Sequence, residues 1–181
     1  MQFLVISQRA IPIPNYSLKD LTGHGRIDII MRCVLASCRP ISKIKNEKNT
    51  IYCYLKGSMN PKDWGWIKWD EEIIDEDEIS IAGIIKEKWD DVFTIGSLNQ
   101  LIESINTDNL IYLHEEGQDF KNMKNKISHN SLIILGAQSD LIKSDLLEIS
   151  QSVKVKLSIE SMLASQVITF IRQKVLLLEN Q

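Results

Sequence analysis

The sequence predicts an α/β fold in which a mostly parallel β-sheet is covered by helices on both faces. Short, continuous apolar runs such as QFLVIS and SLIILG are typical of strands that are buried on both sides. Between these runs, apolar residues recur with the helical period of about 3.6 residues. Strands that alternate with helices favour parallel pairing, because a parallel crossover needs a long connection and a helix provides it.

The N-terminal half contains three predicted strands and two predicted helices. Their order is a strand at 2–7, a loop at 8–24, a helix at about 25–39, a strand at 49–57, the short strand GWIKWD and a helix near 79–90. Pro40 ends the first helix, because proline disfavours helical geometry in the residue before it. In the segment 70–78, seven of the nine residues are Asp or Glu, and we expect a solvated loop there.

The C-terminal half alternates regularly between helix and strand. The predicted order is a helix at 97–106, strands at 109–114 and 131–136, a short helix at 141–149, a strand at 153–157 and a long helix at 159–178. Ser158 occupies the N-cap position of the last helix. The strands end in LHEEGQD, LGAQSD and KLSIES, where open α/β sheets bind their ligands. None of these loops matches a dinucleotide fingerprint or a phosphate loop.

Charge is strongly segregated along the chain. Residues 1–60 carry nine Lys and Arg against three Asp and Glu, whereas residues 61–120 carry four against sixteen. Residues 121–181 are mildly basic, and the whole chain has a formal charge of −3. An anionic partner is therefore expected to meet the N-terminal third, and RNA is compatible with this distribution.

The composition argues against membrane-spanning, exported and metal-binding proteins. No apolar stretch approaches the length of a membrane span, and the N-terminus lacks the basic region of a signal peptide, so we expect a cytoplasmic protein. Cys33, Cys38 and Cys53 have no metal-site spacing, and we expect buried, reduced thiols. The three histidines are scattered, so no metal site is predicted.

The first helix carries an unusual polar seam. Asp28, Arg32 and Arg39 fall within about 40° of one another on a helical wheel, and most of the remaining helix surface is apolar. Arg26 stands just before the seam. An Asp and an Arg four residues apart are ordinarily a helix-stabilising ion pair. The alternative is that the seam is a functional site.

The stretch LKDLTGHGRIDIIMRCV resembles the start of the archaeal TrmY family, tRNA pseudouridine N1-methyltransferases of the SPOUT superfamily. Its family pattern is close to LKDLPG-x-x-GR-x-D-x-x-x-RC. The resemblance recurs in IYLHEEGQDF, LIILG and VKLSIESMLASQVITFI, in the same order along nearly the whole chain. It implies one SPOUT domain over residues 1–181, with a C-terminal trefoil knot at about 107–181. It also implies S-adenosylmethionine as cofactor, the tRNA T-loop as partner and a homodimer built largely on the last helix.

The resemblance assigns cofactor binding to three loops at strand ends, at 113–117, 136–141 and 157–162. The residues expected to bind S-adenosylmethionine are Leu113, His114, Gly117, Leu135, Gly136, Leu157, Ser158, Ile159 and Met162. His114 is expected to shape its loop rather than to act as a base.

Arg26 and Asp28 are the residues expected to carry the chemistry. Methylation of N1 of pseudouridine requires loss of the N1 proton, and a carboxylate with a pKa near 4 is a poor base for so weak an acid. An arginine bound to a uracil carbonyl stabilises the developing negative charge, and we assign this role to Arg26. Asp28 either takes the proton or orients the base and the arginines. Phosphate contacts are expected from Arg9, Lys19, Arg32 and Arg39, with ordinary solvated charge as the alternative for each.

Trp64, Trp66 and Trp69 are candidates for stacking on RNA bases. Because they lie in and beside a predicted strand, packing in the core or at the edge of the domain is the favoured interpretation.

Three functional hypotheses are compatible with the sequence. The leading one is a methyltransferase acting on pseudouridine in the tRNA T-loop. The rRNA pseudouridine N1-methyltransferases are an alternative, because they share a similar R-x-D helix start. The second cofactor loop reads GAQSD where the family usually has GDH-x-G, and the third lacks the usual proline. A SPOUT-fold RNA-binding protein with impaired catalysis is therefore the third hypothesis.

Overall fold

A seven-stranded sheet forms the centre of the computed structural model, which describes residues 1–41, 48–123, 127–157 and 162–179. The strands are β1 (Gln2–Ser7), β2 (Thr50–Leu55), β3 (Gly65–Trp69), β4 (Phe93–Ile95), β5 (Asn109–Asp119), β6 (Ser131–Gly136) and β7 (Val153–Lys156). Their order in the sheet is β4-β3-β2-β1-β6-β5-β7. β1 pairs in parallel with β2 and β6, and β5 pairs in parallel with β6 and β7. Only the β2–β3 and β3–β4 pairs among the described strands are antiparallel, so the predicted mostly parallel sheet is confirmed.

Helices cover both faces of this sheet. They are α1 (Ile27–Cys38), α2 (Glu78–Glu87), α3 (Trp89–Val92), α4 (Leu98–Ser104), α5 (Phe120–Met123), α6 (Lys143–Glu148) and α7 (Ala164–Glu179). Along β1, Phe3 and Val5 pack in the cluster that contains α1, α2 and α7, whereas Leu4 and Ile6 pack in the cluster that contains α4. Successive strand residues point to opposite faces, so each face of β1 contacts a separate apolar layer.

Several predicted boundaries are wrong. The helix expected near 79–90 is two helices, α2 and α3, because Lys88 departs from helical geometry with ψ at 14°. The edge strand β4 was not predicted, since only three residues pair there. The helix expected at 159–178 begins at Ala164 and extends to Glu179. The Gln166 side chain accepts from the Leu163 N–H at 3.0 Å and fixes this later start. The predicted N-cap Ser158 lies outside the described residues.

The aromatic and thiol side chains are packed as expected. Trp69 is 4% exposed, and Trp64 and Trp66 pack against the cluster that contains α4, so the packing interpretation is confirmed. The three cysteines are free and buried. Burial raises the pKa of the Cys33 thiol to about 12. No helix in the described residues is both apolar enough and long enough to cross a membrane.

Candidate active site

The polar seam begins at a strained turn before α1. Arg26 adopts the left-handed conformation with φ at 64°, as does Gly25 before it, so the helix begins at Ile27 rather than at the predicted residue 25. A Cβ atom at Gly25 would lie 1.8 Å from the Arg9 carbonyl oxygen, and only glycine fits this close approach. The turn therefore holds Arg26 beside the carboxyl end of β1.

Asp28 is the acceptor at the centre of the seam. The Arg26 guanidinium donates to both carboxylate oxygens, with Nε to Oδ1 at 2.9 Å and a terminal nitrogen to Oδ2 at 3.0 Å. Arg32 donates to Oδ2 at 2.9 Å from one turn further along. The Asp28 side chain is 3% exposed, whereas that of Arg26 is 43% exposed. An acid buried beneath a half-exposed arginine differs from an ordinary surface ion pair.

The surroundings of Asp28 keep it ionised. Burial by itself raises the pKa of this carboxyl, but the hydrogen bond and charge of Arg26, the charge of Arg32 and the Ile29 N–H lower it by more. The pKa of Asp28 therefore lies below its ordinary value. A carboxylate with a lowered pKa is a weaker base, so the geometry favours the orienting role for Asp28 over proton abstraction.

The four residues expected to contact phosphate are not gathered at one place. Arg9 and Lys19 are exposed on the long loop after β1. Arg32 is shared between Asp28 and Glu78, whose Oε1 lies 2.9 Å from the arginine Nε. Arg39 lies beyond the other end of α1 and donates to the Glu76 carbonyl oxygen. Two of the four cations are thus already held by the acidic segment.

The first predicted cofactor loop is a bulge within β5. Leu113 and Gln118 both align with Val155 of β7, so residues 114–117 are looped out of the ladder. Gly117 packs against the Val155 backbone, and a Cβ atom there would lie 2.5–2.7 Å from it. The His114 Nδ1 accepts from the Glu116 N–H at 3.2 Å, which fits the expected role of this ring in shaping the loop.

The second predicted cofactor loop is a tight turn after β6. A Cβ atom at Gly136 would lie 1.9 Å from the Ser139 carbonyl oxygen, so the turn needs glycine. Leu135 and Leu141 are buried at its two ends. The Gln138 Oε1 accepts from the Ser7 hydroxyl at 3.0 Å, which connects the loop to the end of β1.

The third predicted cofactor loop is described at its ends. Leu157 is partly buried, Ser158 and Ile159 lie outside the described residues, and Met162 precedes α7. Met162 and Arg32 line the same cleft of about 610 Å³ between α1 and α7. The structure therefore brings the end of this loop to the side of α1 that carries the seam.

Sequence reasoning missed a buried polar cluster at the same edge of the sheet. Gln8 comes directly after β1, Lys56 comes directly after β2, and Asp145 lies in α6. The Asp145 carboxylate accepts a hydrogen bond from each of the other two side chains. Lys and Asp are rarely buried, so their types suggested surface positions. The one available signal is that Gln8 and Lys56 each stand directly after a strand.

Comparison with known proteins identifies the family. A family model described as "Putative SAM-dependent RNA methyltransferase" matches residues 1–179. The chain belongs to this RNA methyltransferase family. The family description names S-adenosylmethionine as the cofactor, as the resemblance implied.

Three curated relatives of this RNA methyltransferase share the name tRNA (pseudouridine(54)-N(1))-methyltransferase. The protein from Methanocella arvoryzae is 30% identical over 174 residues, which cover 86% of this chain and 88% of the relative. The protein from Methanococcoides burtonii is 29% identical over 153 residues, covering 74% of each. The Methanosarcina mazei protein is 27% identical over 160 residues, covering 78% of this chain and 74% of the relative. The resemblance to the TrmY family is confirmed.

A solved structure shares the fold of this RNA methyltransferase. It is Archaeoglobus fulgidus Nep1, crystallised with S-adenosylhomocysteine, with a TM-score of 0.67 and 12% sequence identity. The match covers 99% of this chain and 98% of that one, so the likeness extends over the whole sheet and its helices.

The ends of β5 and β6 in this RNA methyltransferase fit the cofactor that its family name implies. The β5 bulge takes the backbone of residues 114–117 out of the ladder, which leaves peptide groups for a ligand. At the adjacent turn, Leu135 is buried in the cluster that contains α1 and Leu141 in the cluster that contains α4. Apolar walls with a few backbone donors and acceptors are the usual lining of a small-molecule site. In the described residues, no group of three or more His, Cys, Asp or Glu could hold a metal ion.

Proposed function

We propose that this protein is an S-adenosylmethionine-dependent tRNA methyltransferase that acts on N1 of pseudouridine in the T-loop. The observation that carries the proposal is the half-exposed Arg26, fixed by two hydrogen bonds to the buried Asp28. The turn that holds Arg26 lies beside Arg9, just after β1, at the sheet edge where the predicted cofactor loops begin. The shared name of the curated relatives supports the tRNA substrate and the modified position.

Arg26 stabilises the negative charge that develops on the base. Loss of the N1 proton leaves an anion delocalised onto the neighbouring carbonyl oxygens of the uracil ring. The Arg26 guanidinium keeps its positive charge, because the hydrogen bond and charge of Asp28 raise the pKa of this group further. A fixed, charged donor needs little reorganisation when the anion forms, which is the condition for effective electrostatic stabilisation.

Asp28 orients Arg26 rather than receiving the N1 proton. Two hydrogen bonds hold the guanidinium in one plane, and the charge of Arg32 on the other side of the carboxylate keeps it ionised. Solvent accepts the N1 proton in this scheme. Removal of Asp28 then acts through the geometry of Arg26.

The cofactor is assigned to Leu113, His114, Gly117, Leu135, Gly136, Leu157, Ser158, Ile159 and Met162. Bound there, S-adenosylmethionine supplies an electrophilic methyl group. The described loop residues hold the ligand through backbone groups and apolar contacts, which tolerate the GAQSD sequence of the second loop. RNA phosphates are assigned to Arg9, Lys19, Arg32 and Arg39.

We propose a single SPOUT domain over residues 1–181, with a trefoil knot at about 107–181. The sheet order supports this proposal. β5 lies between β6 and β7, so the chain passes from β6 across β5 to reach β7. The fold shared with Nep1 supports it as well. We also propose a cytoplasmic location, which suits a tRNA substrate.

We propose that the protein is a homodimer that uses the cleft between α1 and α7. Leu35, Ile41, Met162 and Phe170 line this cleft together with polar residues of both helices. The inward face of α7 is already filled by Ile168, which is fully buried. A partner subunit would cover the apolar side chains that remain on its outer face.

Methylation of a T-loop stem-loop tests the proposed function. The protein is incubated with S-adenosylmethionine and an RNA hairpin that carries pseudouridine at the position named for the relatives, and N1-methylpseudouridine is measured by mass spectrometry. A hairpin with uridine at that position is the control, because N1 of uridine is bonded to the ribose. We expect product from the first hairpin alone.

The same material distinguishes the second candidate function, a SPOUT-fold RNA-binding protein without catalysis. The altered second loop, GAQSD, is the observation that favours it. Binding of the hairpin without product, together with no heat on titration with S-adenosylhomocysteine, would establish that function and reject the methyltransferase.

A further inference from the structure

The buried cluster of Gln8, Lys56 and Asp145 has no role in the chemistry described above. The Asp145 side chain is 0% exposed and that of Lys56 is 4% exposed, and the two form an ion pair. Gln8 Nε2 donates to the other carboxylate oxygen of Asp145 at 2.5 Å. The Lys56 Nζ also lies 4.7 Å from the centre of the Trp64 ring. Both carboxylate oxygens of Asp145 therefore accept a hydrogen bond from a side chain of the cluster.

Stability alone does not account for a buried ion pair. Desolvation of two charges offsets much of their attraction, and well-packed apolar side chains of similar size often serve a fold equally well. Separating a buried pair is strongly destabilising, however, because it leaves an uncompensated charge, so arrangements of the segments that part the two residues are penalised. The cluster joins three segments of the chain. They are the residues after β1, the residues after β2 and the first turn of α6.

These segments meet at the second predicted cofactor loop, residues 136–141. Asp145 stands four residues beyond its last residue. A second link lies at its start, where the Ser7 hydroxyl donates to Gln138 and accepts from the Ala10 N–H at 2.9 Å. The Ala137 N–H donates to the Ile6 carbonyl oxygen at 2.9 Å. The loop is thus fastened to the end of β1 at both of its ends.

We propose that Gln8, Lys56 and Asp145 are positioning residues that hold the second cofactor loop against the ends of β1 and β2. The inference rests on the proposed function for its ligand, S-adenosylmethionine, but the anchoring itself is a property of the ligand-free protein. A site that binds through backbone groups depends on the position of that backbone to within about 0.5 Å. The loop sequence GAQSD lacks the usual family residues. In this proposal, residues outside the loop hold its backbone in position instead.

Two variants isolate the anchor from fold stability. The double variant Lys56→Met with Asp145→Asn removes both charges together, so neither is left buried without a partner. Gln8→Ala cuts the connection to β1 and leaves the ion pair in place. Asp70→Asn is the matched control, because it breaks the Lys68–Asp70 pair at 3.0 Å, whose side chains are about half exposed.

Hydrogen exchange on the ligand-free protein is the first readout. If the cluster is an anchor, both variants raise the exchange rates of the amides at 137–141, whereas the amides of β1 and β6 keep their exchange rates. The control leaves all of them unchanged. A uniform rise over the whole sheet, or no rise in the loop, would show that the cluster has only a general structural role and would overturn the proposal.

Titration with S-adenosylhomocysteine at a temperature well below melting is the second readout. We expect both variants to weaken binding by about 2- to 150-fold, the range of couplings within one polar network. Equal affinity in the variants and the parent would overturn the positioning role. If the parent itself does not bind, the proposed function fails, and the exchange result still decides whether the cluster anchors the loop.

Discussion

Arg26 combines an unfavourable backbone with a well-fixed side chain. A non-glycine residue in the left-handed region costs roughly 1 kcal/mol, and such outliers are often retained at functional sites. With this backbone conformation, the Arg26 guanidinium contacts Asp28, which lies two residues later in the chain. Exposure of the arginine above a buried acid leaves its outer edge open to a ligand.

Arg26→Ala tests the electrostatic role of this side chain. We expect the rate of methyl transfer to fall by about 10²- to 10³-fold, the usual effect of removing one fixed donor to a developing anion. Affinity for S-adenosylhomocysteine should stay unchanged in calorimetry, because the loops to which we assign the cofactor follow other strands. Lys88→Ala is the control, because it removes a cation that is paired with Glu71 at 2.9 Å outside the seam, and it should retain most of the rate. An active Arg26→Ala protein would mean that the seam is purely structural.

Asp28→Asn tests the orienting role through its pH dependence. The pKa of Asp28 is lowered from 3.8 in the folded state, so its ionised form stabilises the fold above about pH 4. This contribution is lost as the pH falls through the lowered pKa. We expect the variant to lose about 1–2 kcal/mol of unfolding free energy at pH 7, measured by urea unfolding. The difference from the parent should shrink as the pH falls below 3.8 toward the lowered pKa of Asp28.

The same lowered pKa limits the pH profile of the reaction. Between pH 5 and 8 the parent enzyme should show no rate change that is due to protonation of Asp28, since the group stays ionised throughout. An ionisation in that interval that disappears in Asp28→Asn would contradict the orienting role and support proton abstraction by this carboxylate.

At the scale of single elements, the turn before α1 sets the position of the seam. Gly25→Ala should destabilise the protein by about 2–4 kcal/mol, because the new methyl group overlaps the Arg9 carbonyl oxygen and φ is positive. Gly83→Ala is the control, since its nearest new contact would be at 3.7 Å within a helix. That variant should gain about 0.5–1 kcal/mol. Urea unfolding of both proteins measures the difference.

The elements that the sequence predicts best are those whose pattern is local. β1 and β6 are continuous apolar runs, and Pro40 stops α1 where Arg39 becomes extended. The bulge in β5 could not be predicted, because it arises where Leu113 and Gln118 both align with Val155 of the later strand β7. Likewise, three-residue β4 has too short a pattern to separate from a loop.

The site was predictable to a similar extent. The order of charges along α1 shows the seam, and the contacts of Asp28 with Arg26 and Arg32 lie within about one turn. The contacts of Arg32 with Glu78 and of Arg39 with Glu76 join distant positions and were not predictable. Burial of Asp28 was not predictable, since it depends on tertiary packing. The contact between Gln8 and Asp145 joins residues 137 positions apart, and no local signal connects them.

At the scale of the whole molecule, the cleft between α1 and α7 predicts a dimer. Light scattering at tens of micromolar should give twice the chain mass of 20.7 kDa. Phe170→Asp places a charge among the apolar residues of the cleft and should shift the protein to monomer. Glu87→Lys, on exposed surface outside the cleft, should leave the dimer intact. A monomeric parent protein would remove the proposed interface.

The acidic segment beside α1 also determines how binding to RNA responds to salt. A cation that meets a phosphate releases condensed counterions, and each such contact adds about −0.7 to the slope of log affinity against log salt for single strands. Arg32 is ion-paired with the carboxylates of Asp28 and Glu78, whereas Arg9 is exposed on its loop. Arg9→Ala should therefore make the slope shallower by about 0.7, and Arg32→Ala should change it by much less. The acid at Glu78 thus acts with Asp28 as an internal counterion, so Arg32 contributes less entropy of ion release than an unpaired cation.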